Sequence, residues 1–137
     1  MEVIVAAGAA EQEFDKFIDA MDLDVDPATM DAEDKTAFDK LKRRVVRAIG
    51  RGALIFNDSG EAVYTPYHKN SKRKEPITFH ERSGADLIAM DKTKKGATVS
   101  QTYAIMGAMC KEPPSVFAGL VGPDIKVCEA LFALLMD

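Results

Sequence analysis

The stretch Phe38–Pro66, FDKLKRRVVRAIGRGALIFNDSGEAVYTP, changes its period partway along, and that change decides the fold class. In the first half Phe38, Leu41, Val45, Ala48 and Ile49 recur at helical spacing and define one apolar face. After Gly52 the pattern shortens to two β-prone runs, Ala53 to Phe56 and Ala62 to Thr65. Asn57, Asp58, Ser59 and Gly60 lie between them, which is hairpin chemistry with a loop a little longer than two residues. A helix running directly into a hairpin is therefore expected.

The helix extends back to about Ala32, with several aspartates and a threonine in DPATMDAED as N-cap candidates and with Gly50 and Gly52 available to end it near Ile49. Its acids come early and its bases late, an order that complements the helix dipole. Lys40, Arg43, Arg44, Arg47 and Arg51 fall on the face opposite Phe38. That face is either an ordinary solvated surface or a partner-binding basic stripe, and both readings stay open at this point.

Upstream, Phe14, Phe17, Ile18 and Met21 make EQEFDKFIDAM an amphipathic helix with an acidic outer face, so residues 1–30 read as an acidic helical extension and 31–137 as a single globular domain. Downstream, PITFH offers a third strand, which the hairpin needs because two strands alone are marginal in water. Three helical pieces then follow. The first runs from Gly84 to Asp91. Val99, Tyr103, Met106 and Cys110 mark the next, with a short turn at Phe117 and Leu120 after Pro113 and Pro114. In the last, Pro123 takes the first position and Ile125, Cys128, Leu131, Phe132 and Leu135 form an apolar stripe. The expected class is mainly α with a small antiparallel β element (α+β), with amphipathic helices at both ends.

Composition narrows the function. A chain of 137 residues, 47% hydrophobic and 29% charged, can bury a core. The net charge of -4 is unevenly spread. Eleven acids lie between Glu11 and Asp39, six bases and no acid between Lys40 and Arg51, and a second basic cluster, KNSKRK, covers Lys69–Lys74. Such segregation suits self-association or acidic partners. It also supports a nucleic-acid reading in which residues 40–51 meet phosphates and Tyr64 and Tyr67 stack on bases, although the acidic balance opposes it.

His68, His80, Cys110 and Cys128 lack metal-ligand spacing, and the glycines at 50, 52 and 60 match no phosphate-binding loop. Both cysteines sit on apolar stripes, where burial quiets a thiol. No catalytic group, metal or cofactor is expected. The opening MEVIVAAGAA lacks a basic n-region, no window has the length of a membrane span, and a reducing cytoplasm is the expected location.

Phe79–Asp91, FHERSGADLIAMD, resembles an active-site cluster at first sight, yet Ser83 and Asp86 have capping-box spacing. With Ile77 and Thr78 before it, this segment resembles the strand-to-helix element of tailed-phage tail assembly chaperones. Glu81, Ser83, Gly84, Ala85, Asp86 and Leu87 match that element, while His80 and Arg82 stand where the family favours arginine and proline. The likeness extends over roughly Phe38 to Met136. It includes the opening helix and hairpin, the helix with Tyr103 and Met106, the PPSVFAGL turn, and Asp124 opening an apolar helix.

The resemblance implies a non-enzymatic protein of the host cytoplasm, absent from the mature virion. It would bind the tape measure protein during tail tube assembly, self-associate, and reach the tail tube protein through a frameshifted form. Under that reading Met106, Met109, Phe117, Leu120, Phe132 and Leu135, together with Arg43, Arg44 and Arg47, are the expected partner-binding residues, and Ser83, Gly84 and Asp86 the family's helix cap. The alternative is a small nucleic-acid-binding protein or phage structural adaptor using the basic helix 40–51.

Overall fold

A computed structural model of the chain describes residues 7–21, 27–80 and 98–135. The helix expected at Gly84–Asp91 and the cap of Ser83, Gly84 and Asp86 lie outside those residues. Helix α1 spans Ala7–Ala20, a 3-10 turn covers Pro27–Thr29, and α2 spans Ala32–Gly50. Strands β1 (Leu54–Phe56), β2 (Ala62–Tyr64) and β3 (Ile77–Phe79) follow. Helices α3 (Thr98–Cys110), α4 (Ser115–Ala118) and α5 (Pro123–Leu135) complete the described elements. This mostly helical chain with one small antiparallel sheet is α+β, as its periodicity indicates.

Both ends of α2 are chemically defined. Asp31 is the N-cap, its carboxylate accepting from the Asp34 amide at 2.8 Å, and Glu33 and Asp34 add negative charge to the first turn. At the other end the Gly52 amide donates to Ile49 O and the Ala53 amide to Ala48 O, with Gly52 at φ 77. This paired Schellman arrangement needs a left-handed residue after the helix, which glycine supplies without a Cβ clash. The chain thus turns from helix to strand within three residues, 51–53.

The sheet has the order β1-β2-β3, both pairs antiparallel, with Leu54 opposite Tyr64 and Tyr64 opposite Ile77. The hairpin loop is set by Asn57, whose side-chain oxygen accepts from the Ser59 and Glu61 amides while Gly60 sits at φ 80. Leu54, Ala62, Tyr64, Ile77 and Phe79 turn inward, and Ile55 is left facing out.

Helix α2 is central, packing on α1 along one side and on α5 along another. Phe14 meets Phe38 with ring centroids 6.2 Å apart, and Phe17 stacks on Phe56 of β1 at 5.1 Å. Phe14, Phe17 and Met21 therefore belong to the same core as α2, β1 and α5, so α1 is an integral layer where the sequence suggested an appended extension. Its acidic face concealed this, because charge on the outside says nothing about what the other face covers. The expected stripe on α3 is also corrected at its start: Val99 is 64% exposed and Tyr103 half-buried, whereas Met106 and Cys110 are inside. On α5, Cys128, Leu131 and Leu135 are buried, and Ile125 and Phe132 are half-buried against the core.

Candidate binding site

The basic residues of α2 divide into distinct settings. Lys42 lies with its ammonium 5.6 Å from the centre of the Phe14 ring and helps cover the contact with α1. Lys40, Arg43 and Arg47 are exposed and follow i, i+3, i+7 spacing, forming a ridge along the helix. Among the described residues no acid forms an ion pair with them; the ion pairs there are Lys16–Glu13, Arg73 with Glu75 and Glu112, and His80–Glu61. Arg44, Arg47 and Arg51 line the edge that faces α5.

Between α2 and the start of α5 that edge bounds a cleft of about 270 Å³. Arg44, Arg47 and Arg51 supply one wall and Lys126 the other; Tyr67 and the Gly122–Pro123 turn close it, over Ala48 and Val127. Four cations converge on this hollow and no acid lines it. Arg51 donates to the Tyr67 hydroxyl at 2.6 Å, with its guanidinium carbon 5.9 Å from the ring centre, so two of the lining side chains hold each other in place.

The cleft owes its shape to Asp124, in the first turn of α5 and fully buried. Its carboxylate accepts four hydrogen bonds: from Tyr64 Oη at 2.6 Å, Ser71 Oγ at 2.7 Å, and the amides of Tyr67 at 3.1 Å and His68 at 2.9 Å. Ser71 Oγ in turn accepts from the Val121 amide at 2.9 Å, tying the loop to the approach of α5. Burial pushes the Asp124 carboxyl up, but the donors from Tyr64, Ser71 and the two amides outweigh it and hold the group below its ordinary range. Burial, and then the same contact, raise Tyr64 well above its usual value, so its hydroxyl stays a donor. Gly122, at φ 59, lets the chain turn into Pro123 with His68 packed over it.

The apolar residues expected to meet a partner are placed otherwise. Met106, Met109, Phe117, Leu120 and Leu135 are core residues of the folded chain and offer no surface, and Phe132 is half-buried. Their helices are apolar on more than one side, so periodicity alone could not say which face met the sheet. Of the expected basic residues, Arg43 and Arg47 are exposed and Arg44 is half-buried in the cleft wall. Arg51, Lys126 and Tyr67 do not form a group in the sequence, since their convergence depends on how α5 crosses α2. No local signal marks them: Asp124, in the first turn of an apolar helix, reads like any helix cap, and the amide it binds lies 57 positions away.

Cys110 and Cys128 are both buried, and burial first of all lifts the Cys128 thiol well above its usual value. Among the described residues no group of three or more histidine, cysteine or acidic side chains could hold a metal ion, and no helix is long and apolar enough to cross a membrane. In comparisons with known proteins, no family model, curated protein or solved structure matches the chain.

Proposed function

We propose that this chain is a tail assembly chaperone of a tailed phage, a non-catalytic protein that binds the helical tape measure protein in the host cytoplasm during tail tube assembly. The residues shared with that family around Ser83–Leu87 support the reading, as does the order of helix, hairpin, strand and closing helices. The observation that carries it to a surface is the exposed ridge of Lys40, Arg43 and Arg47, three cations on one helix face without an ion pair among the described residues. With Met106, Met109 and Phe117 committed to the core, recognition runs through this ridge. It suits acidic side chains spaced along a partner helix. Self-association and recruitment of tail tube protein by a frameshifted form belong to the same proposal.

Coexpression with the tape measure protein encoded downstream tests it: a soluble complex should copurify. A partner that is soluble alone and does not copurify refutes the proposal.

The acid-free cleft favours one second reading, a nucleic-acid adaptor using residues 40–51. That reading predicts retention on DNA that falls steeply as salt rises, because neutralised phosphates release counterions. Absence of salt-sensitive retention at low ionic strength removes it.

A further inference from the structure

We infer that the cleft between α2 and α5 is a binding site for the phosphate groups of a small polyanion, a pyrophosphate or the phosphate chain of a nucleotide. This site shares Arg47 with the helix-binding ridge but leaves out Lys40 and Arg43, and it goes beyond the chaperone reading.

Charge comes first. Arg44, Arg47, Arg51 and Lys126 line one hollow with no acid among them. Like charges held close together near a protein surface repel one another. A fold that gathers four of them relieves that repulsion when a compact anion enters. Asp124, at the start of α5, does not serve, because it is fully buried and all four of its hydrogen bonds go to Tyr64, Ser71 and the amides of Tyr67 and His68.

Preorganisation comes second. Arg51 is held by the Tyr67 hydroxyl, and the backbone of Tyr67 by Asp124. Part of the entropy of ordering a long side chain is thus already spent before any ligand arrives. Pro123 begins α5 at the rim of the same hollow, but the Asp124 carboxylate in its first turn offsets the positive end of that helix, so the field rests on the four cations.

The choice of phosphate over a protein carboxylate follows from size and charge density. Carboxylates along a helix are spaced about 5–6 Å apart and carry one charge each. A hollow of about 270 Å³ closed on two sides by helices takes a compact group bearing several charges. Guanidinium forks match phosphate oxygens two at a time, which is why arginine dominates the lining.

The test is calorimetric titration of the full chain with inorganic pyrophosphate at low ionic strength, with a nucleoside triphosphate and a short single-stranded DNA as further arms. Saturable one-to-one binding of pyrophosphate is expected, weakened roughly tenfold or more in an Arg44→Gln/Lys126→Gln variant by loss of two charge-assisted contacts. Binding should stay within about twofold in Lys40→Gln/Arg43→Gln, whose charges lie outside the cleft. A nucleoside triphosphate that competes with pyrophosphate and binds more tightly identifies a nucleotide as the source; equal affinity identifies the phosphate chain alone.

Amide chemical shifts of the wild-type chain provide a readout independent of any variant, with changes expected at Tyr67, Gly122 and Lys126. The proposal is overturned by absence of saturable pyrophosphate binding, by shifts confined to the Lys40–Arg43 ridge, by unchanged affinity in the cleft variant, or by DNA binding that pyrophosphate does not displace. Loss of tape measure copurification in the ridge variant, with pyrophosphate binding intact, separates this site from the chaperone surface.

Discussion

At the scale of single residues, Asp124 does most to organise the described chain. Replacing it with asparagine keeps the volume but puts an NH2 where an oxygen accepts, so at least one of the donors from Tyr64, Ser71, Tyr67 and His68 loses its acceptor. Asp124→Asn should lower unfolding free energy by about 3 kcal/mol, measured by chemical denaturation. The pH dependence has a definite sign. The folded-state pKa of Asp124 is depressed, so its stabilisation is fully present above the unfolded carboxylate value, near 3.9. Stability should fall as pH drops below about 4 and through the folded value, and that acid-side slope should flatten in Asp124→Asn. Cys128 gives the complementary case: a buried thiol with a raised pKa should resist a thiol reagent at neutral pH until denaturant is added. The sequence marked Asp124 as the opening of an apolar helix and Cys128 as a quiet core thiol. It could not show that Asp124 binds a loop more than 50 positions away, because a buried acceptor and a surface helix cap look alike in one dimension.

The elements were legible wherever local chemistry decides their limits. Asp31 caps α2, Gly52 ends it, and Asn57 with Gly60 turns the hairpin, each through contacts within a few residues. Legibility stopped where an element ends against a distant one. Helix α3 closes at Lys111, at φ 57, and the chain doubles back so that the Glu112 amide donates to Gly107 O at 2.8 Å. A Cβ on Gly107 would lie 2.5 Å from the Glu112 carbonyl oxygen, a backbone atom. Alanine, the better helix former, is therefore the worse residue here. Gly107→Ala should destabilise the fold by about 1–3 kcal/mol, seen as a lower melting temperature, against the gain that helix propensity alone would forecast. The Arg73–Glu112 pair, at 2.6 Å, fastens the same turn to the basic loop. KNSKRK is thus partly structural, and its charge count overstates what a partner could meet.

For the whole molecule, the division between ridge and cleft makes a prediction that no single element contains. Lys40 and Arg43 are exposed and make no ion pair among the described residues, so Lys40→Glu/Arg43→Glu should change unfolding free energy by no more than about 0.5 kcal/mol. The same variant should abolish copurification of the tape measure protein. Retained copurification would move the partner surface elsewhere.

By itself the sequence determined the α+β class, the helix-to-hairpin run, the third strand and the basic character of α2, because periodicity, caps and turn residues act over one or two turns of chain. Only the tertiary structure decided that α1 belongs to the core, that Met106, Met109 and Phe117 are interior, and that three arginines meet Lys126 across a cleft. Those outcomes depend on which faces pack together. A residue's burial and its distant neighbours are set by the crossing of elements whose relative placement no local pattern encodes.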